Sequence, residues 1–340
     1  MTNEFSLIAR YFTRPGDAYD ADVGSRVELG PGDDCALLRL GADSLCAITT
    51  DMLAAGTHFF ADTDPHDLGW KSLAVNLSDL AAMGATPRYA QLALCLPPEL
   101  VADATWVEAF AKGFFLCADR FGVTLSGGDM SSGALNICIT AIGEIPAGKA
   151  LRRAAAQAGD DLWVSGTPGL AALGLGHLQK QLVLPERIRD ICLAALHRPQ
   201  PRVQLGLALA NGGLANAAID ISDGLLADLG HILKASQLAA EVHLPTLPLL
   251  SPQLALRTAL LDSVGAEALR SAQLAGGDDY ELCFTARPAQ RLQIAAVAAE
   301  MELPLWRIGT CLAGEPGLIR VLDADAQEVQ VTRRGYEHFV

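Results

Sequence analysis

Two domains, each mixing helices with strands, are the fold class this sequence predicts, on three observations. The chain of 340 residues is long for one core and comfortable for two. Its first half alternates apolar strand-like runs with amphipathic helical stretches, in βαβ-like units. A Gly- and Pro-containing junction at residues 143–150 precedes a second series that opens with a strand at residues 159–166, so residues 1–147 and 148–340 are expected to form separate domains.

In chain order, residues 4–12 predict a short helix and 14–26 a polar loop. The turn Gly30-Pro31-Gly32-Asp33-Asp34 carries two acids into an apolar strand. Residues 45–51 read as a strand closed by Asp51, and 70–84 as a helix in which Trp70, Leu73, Ala74, Leu77, Leu80 and Ala81 form one apolar stripe and Gly84 ends the helix. Strand 89–96, a turn at 97–99, helix 104–121, a strand closing on Gly127-Gly128-Asp129 and strand 135–143 complete the first half. In the second half, helices at 185–197 and 202–210 precede the turn Asp220-Ile221-Ser222-Asp223-Gly224, which opens helix 225–235 with Ser222 or Asp223 suited to cap it. Gly276-Gly277-Asp278-Asp279-Tyr280 then enters strand 283–285, and the aromatic end Gly335-Tyr336-Glu337-His338-Phe339-Val340 is expected to dock.

The acids carry the chemistry. Around Asp79, one helical turn away, lie Val75, Ala82 and Met83, with only Asn76 polar, so the helix is expected to be covered on both faces and no basic residue stands at i±3 or i±4. Asp51, Asp129 and Asp220 each stand at or near the end of an apolar run. Two carboxylates about 5 Å apart repel by roughly 3 kcal/mol at an effective dielectric near 20, so four or more converging without a cation would be strongly unfavourable. Mg2+ suits such a set, because it takes a few carboxylate oxygens together with water, phosphate and neighbouring hydroxyls.

Composition narrows the classes. The net charge of −14, with 25 basic against 39 acidic residues, speaks against nonspecific binding to nucleic acid or anionic membrane. Eight scattered cysteines without C-x-x-C spacing read as core residues of a reduced, cytoplasmic protein. The first twelve residues do not read as a signal peptide, and no apolar run reaches the roughly 18 residues of a membrane span. The stretch from Gly143 to Lys149 matches G-x-x-x-x-G-K, but Ala150 lacks the metal-binding hydroxyl and Pro146 removes a donor, so it is read as an interdomain turn. Arg153 beyond it could clamp a phosphate or form a surface ion pair. His58 beside Phe59 would ordinarily be packed.

Gly32-Asp33-Asp34, Thr49-Thr50-Asp51 with Gly56 and His58-Phe59, the run 76–84, Gly127-Gly128-Asp129, Asp220-Ile221-Ser222-Asp223-Gly224, Gly276-Gly277-Asp278-Asp279-Tyr280 and the closing aromatic segment, in this order, closely resemble the thiamine-monophosphate kinase family. The resemblance implies an aminoimidazole ribonucleotide synthetase-like fold of two domains, α/β followed by α+β. It also implies a homodimer, with the N-terminal domain forming an intersubunit β-barrel, and ATP-dependent phosphorylation of thiamine monophosphate to thiamine diphosphate by direct in-line transfer assisted by several Mg2+ ions. By the same resemblance Asp34, Thr49, Thr50, Asp51, Asp79, Asp129, Asp220 and Asp223 are metal ligands, and Asp51, Asp79 and Asp129 form the catalytic group. Gly128, Asp129, Arg153 and Ser222 contact the nucleotide, while His58, Asp278 and Tyr336 meet thiamine monophosphate. Asp278 stands where Glu is more usual, and Met130-Ser131 where paired Thr is usual. A related ATP-dependent synthetase or maturation enzyme is the alternative within the superfamily, though the reactive Cys of a selenide-using relative and the C-terminal Cys of a hydrogenase-maturation relative are both missing. A non-catalytic Ca2+-binding module is the alternative from another class, and it gives the two Gly-Gly-acid turns no role.

Overall fold

The computed structural model describes residues 7–13, 27–29, 37–102, 104–248 and 254–336. It divides into two compact units, one of residues 1–80 and 85–148, the other of 81–84 and 149–340.

In the first unit, strands β1 (Val27–Leu29) and β2 (Leu37–Leu38) pair with each other. Strands β3 (Ser44–Ala54), β4 (Thr86–Leu96), β5 (Thr124–Ser132) and β6 (Asn136–Pro146) form a sheet in the order β3-β6-β4-β5, antiparallel except for the β4–β5 pair. Helices α1 (Pro65–Ala82, its last two residues counted with the second unit), α2 (Pro98–Ala102) and α3 (Ala104–Phe121) also belong to the first unit. Every residue of α1 from Leu68 to Ser78 is buried, as the apolar groups on both of its faces require. Contact between α1 and α3 is close enough that a Cβ on Gly69 would lie 2.0 Å from the carbonyl oxygen of Phe110. At the end of α1, the N–H of Gly84 bonds to the carbonyl of Ala81 and that of Ala85 to Leu80, with Gly84 at φ +69°, the helix stop read from the sequence. One face of the sheet is core, with Ile137, Ile139 and Ala141 at most 1% exposed. On β3, the alternate residues Cys46, Ile48, Thr50 and Met52 are exposed.

The second unit contains β7 (Asp161–Ser165), β8 (Ala217–Asp220), β9 (Ala239–His243), β10 (Leu282–Ala286), β11 (Leu305–Leu312) and β12 (Ile319–Leu322), in the order β12-β9-β11-β7-β10-β8. All its pairings are antiparallel except β12–β9. Its helices are α4 (Leu170–Leu178), α5 (Glu186–His197), α6 (Val203–Gly212), α7 (Leu225–Ser236), α8 (Leu254–Ala275) and α9 (Arg291–Glu300). Leu229 and Ile232 of α7 join Val164, Ile219, Val242, Cys283 and Ile308 of the strands in one core, and α4, α5 and α8 share a second cluster around Leu173, Ile188, Cys192 and Leu260.

Several expectations change. The β-barrel is not built: β3 and β5 are open edges of the four-stranded sheet, and no sheet among the described residues closes on itself. A barrel needs its two end strands hydrogen-bonded to each other, and β3 and β5 are not paired. Asp51 and Asp129 do not end their strands, because Met52 to Ala54 and Met130 to Ser132 continue the ladders. Residues 98–102 form a helix that begins on Pro98, a residue favoured at the first helical position, instead of a turn. The N-terminal helix is present over Ile8–Phe12, whereas loop 14–26, the Gly32-Asp33-Asp34 turn and residues 337–340 lie outside the described residues.

Candidate functional site

In the first unit the site is built where β3 faces α1. Thr49 and Asp51, two residues apart, share the inward face of β3. The hydroxyl of Thr49 donates to Oδ2 of Asp79. The backbone N–H of Asp51 donates to Oδ1 of Asn76 at 3.1 Å, and Asn76 in turn donates from Nδ2 to the carbonyl of Ser72 at 3.2 Å. Asn76, fully buried, thereby aligns the strand with the helix turn that carries Asp79. Burial first, and the Asp79 carboxylate second, push the Asp51 carboxyl up to about 7. A divalent cation would relieve both effects, and carboxylate and hydroxyl oxygens are the donors a hard cation takes.

Other candidates stand apart from this pair. Thr50 points to the opposite face, 2.9 Å from the hydroxyl of Thr140. The ladder registers place Asp129 in one row with Ala93, Cys138 and Met52, also on that face and three strands from β3, roughly 14 Å at ordinary strand spacing. Gly128 has no substitute there, since a Cβ would lie 1.9 Å from the carbonyl oxygen of Leu92. Among the described residues no group of three or more His, Cys, Asp or Glu could hold a metal ion unaided. His58 follows β3, and its Nδ1 accepts the N–H of Ala54 at 3.1 Å, which puts the proton of the neutral ring on Nε2 as a donor.

In the second unit three separated motifs meet through their backbones. Asp220 ends β8 and is 4% exposed. The carbonyl of Ser222 accepts the N–H of Asp278 at 2.8 Å, that of Ile221 accepts Tyr280 at 2.8 Å, and that of Asp223 accepts Tyr336 at 2.9 Å. Asp278 and Tyr280 hold left-handed φ values of +67° and +53°, unusual for residues with side chains, and the Tyr280 hydroxyl donates to Asp278 at 3.0 Å. Behind this turn, buried Glu281 accepts Ser165 Oγ at 2.5 Å and Arg202 Nε at 2.6 Å, while Asp279 accepts the N–H of Gly169 at 2.8 Å. Arg153 is exposed in a single 3-10 turn whose carbonyl accepts Ser236 Oγ at 2.8 Å on α7. Tyr336 is 43% exposed.

Neither Ser222 nor Asp223 caps α7 with its side chain. Asp228 performs the equivalent task from inside the helix. Its Oδ2 accepts the N–H groups of Ser222, Asp223 and Gly224 at 3.1, 3.1 and 3.0 Å. Burial pushes its carboxyl up to about 7 against the pull of these bonds. The signal for it was in the sequence: Leu225, Asp228, Leu229 and Ile232 recur at helical spacing, which sets an acid inside the buried stripe.

Comparison with known proteins places the chain in a family. Residues 32–145 match the AIR synthase related protein, N-terminal domain, and residues 157–321 the C-terminal domain of the same group. Thiamine-monophosphate kinase of Escherichia coli (strain K12) is 43% identical over 337 residues, covering 99% of this chain and 98% of that protein. The crystal structure of thiamine-monophosphate kinase from Stenotrophomonas maltophilia K279a superposes with a TM-score of 0.81 at 43% identity, covering 95% of this chain and 96% of that one. A second solved structure, AaThiL complexed with AMPPCP and TMP, gives a TM-score of 0.75 at 29% identity over 88% of this chain and 89% of that one. The chain belongs to the thiamine-monophosphate kinase family, with the two-domain fold of the AIR synthase related proteins.

Proposed function

We propose a division of labour for the reaction this chain performs, the ATP-dependent phosphorylation of thiamine monophosphate. Thr49, Asp51 and Asp79 hold one Mg2+, and Asp34, Thr50, Asp129, Asp220 and Asp223 serve as ligands of further Mg2+ ions. Gly128, Asp129, Arg153 and Ser222 contact ATP. His58, Asp278 and Tyr336 receive thiamine monophosphate. The synthetase and Ca2+-module readings give way to this one.

The observation that carries the reading is the Asp51–Asp79 pair, two carboxylates drawn together beside a hydroxyl, with Asp51 held up to about 7. Because the described acids do not form a cluster of three, waters and phosphate oxygens would complete the shell, as Mg2+ prefers. Bound Mg2+ would supply charge neutralisation on the transferring phosphoryl group. The acceptor brings its own ionised phosphate oxygen, so the chain needs no strong general base and its residues act by positioning, which favours direct in-line transfer to thiamine diphosphate. The Nε2–H of His58 suits a phosphate oxygen, and the exposed ring of Tyr336 suits the cationic thiazolium.

The working form is a homodimer in the cytoplasm. The first part is supported by the exposed Ile48 (65%) and Met52 (57%) on one face of β3, apolar surface that a second copy would cover. The second is supported by the seven described cysteines, all free thiols, as a reducing compartment keeps them. Among the described residues, no helix is long and apolar enough to cross a membrane. The reading is tested by product formation from ATP with thiamine monophosphate or free thiamine, with and without Mg2+. Turnover is expected only with the monophosphate and Mg2+; conversion of free thiamine alone would overturn the acceptor assignment.

A further inference from the structure

Successive backbone N–H groups that converge ahead of a helix form a nest for anions, the arrangement many proteins offer to a phosphate. In the turn Ser222-Asp223-Gly224 that nest is already filled by the chain itself. A single oxygen of Asp228, a residue 3% exposed, accepts all three N–H groups. Its helix neighbours Leu225, Leu229 and Ile232 are fully buried, so packing holds the carboxylate in place. Three donors are thereby withheld from any nucleotide phosphate. What the turn can present to a ligand is the hydroxyl of Ser222 and the carboxylate of Asp223.

We propose that Asp228 is a positioning residue for ATP: by occupying the anion nest it sets the backbone from which Ser222 and Asp223 reach the nucleotide and its cation. The inference rests on the assignment of Ser222 and Asp223 under the proposed function. The Ser222 and Asp223 carbonyls also anchor the N–H groups of Asp278 and Tyr336, so effects on the acceptor are secondary and smaller.

Steady-state KM values for ATP and for thiamine monophosphate, measured on Asp228→Ala, Asp228→Asn and Ser222→Ala, test it. Asp228→Ala should raise the KM for ATP about tenfold or more and that for thiamine monophosphate by less than about threefold. Added formate, small enough for the vacated nest, should restore part of the ATP affinity in Asp228→Ala and do nothing for the wild type. Asp228→Asn keeps an acceptor oxygen without the charge and should raise the KM for ATP about two- to fivefold. An unchanged KM for ATP in Asp228→Asn overturns the inference even where Asp228→Ala does not fold, as does an equal rise in both KM values without formate rescue. Ser222→Ala separates the two levels. If it leaves the KM for ATP unchanged, the nucleotide assignment itself fails; if it raises that KM while the Asp228 variants do not, only the role of Asp228 fails.

Discussion

The hydroxyl of Thr49 donates to the carboxylate of Asp79, tying the inward face of β3 to the last full turn of α1. Thr49→Val keeps the shape and removes the donor. It should cost about 1 kcal/mol of stability and raise the Mg2+ concentration needed for half-maximal turnover. Urea unfolding in EDTA and a Mg2+ titration of activity would check both.

A pH dependence follows from Asp51. Its carboxyl is raised to about 7 in the folded chain, above the value of 3.8 it would have when unfolded. The folded state therefore holds the proton more tightly, and stability without metal should fall as pH rises from about 4 through about 7, by at most about 4 kcal/mol for this group. Asp228, also raised to about 7, adds a decline of the same sign. Asp51→Asn should remove only the first share, and saturating Mg2+ should flatten it in the wild type. Unfolding midpoints at pH 5 and pH 8 measure this directly.

Arg202 and Glu281 form an ion pair behind the Asp278 turn, with Glu281 7% exposed. Arg202→Ala leaves a buried carboxylate without its cation and should destabilise the protein by about 3–5 kcal/mol. Adding Glu281→Gln should recover part of that loss in a thermal melt. Equal stability of Arg202→Ala and wild type would mean the pair does not support the turn.

Gly128→Ala should disturb β5, because the new Cβ meets the Leu92 carbonyl oxygen at 1.9 Å and φ is +154°. Activity should fall at least about tenfold while the second unit stays folded. Far-UV circular dichroism with activity measurements separates a local effect from global unfolding.

Local pattern made much of this legible. The stripe and the two covered faces of α1 were visible in Leu73, Ala74, Leu77 and Val75, and helix 104–121 was bounded as the structure has it. Strand ends were not, because acids such as Asp51 and Asp129 sit comfortably inside strands whose alternation continues past them. The meeting of Ser222, Asp278 and Tyr336 rests on backbone hydrogen bonds between segments more than 50 residues apart, which side-chain patterns do not encode. Asp228 was legible in principle, as an acid in an apolar stripe, yet the more conspicuous Asp-Gly turn beside it suggested a cap that the structure does not use. The intersubunit barrel came from resemblance alone, and the open sheet corrects it.

Asp51 and Asp79 are proposed to hold the catalytic cation together. The most direct measurement is turnover of thiamine monophosphate at limiting Mg2+ by Asp51→Asn and Asp79→Asn, alongside unfolding of each variant in EDTA. Each variant is expected to lose activity by about a hundredfold or more while remaining folded and at least as stable as the wild type without metal, since one of two repelling charges is gone. Near-wild-type turnover at limiting Mg2+ in either folded variant would contradict it.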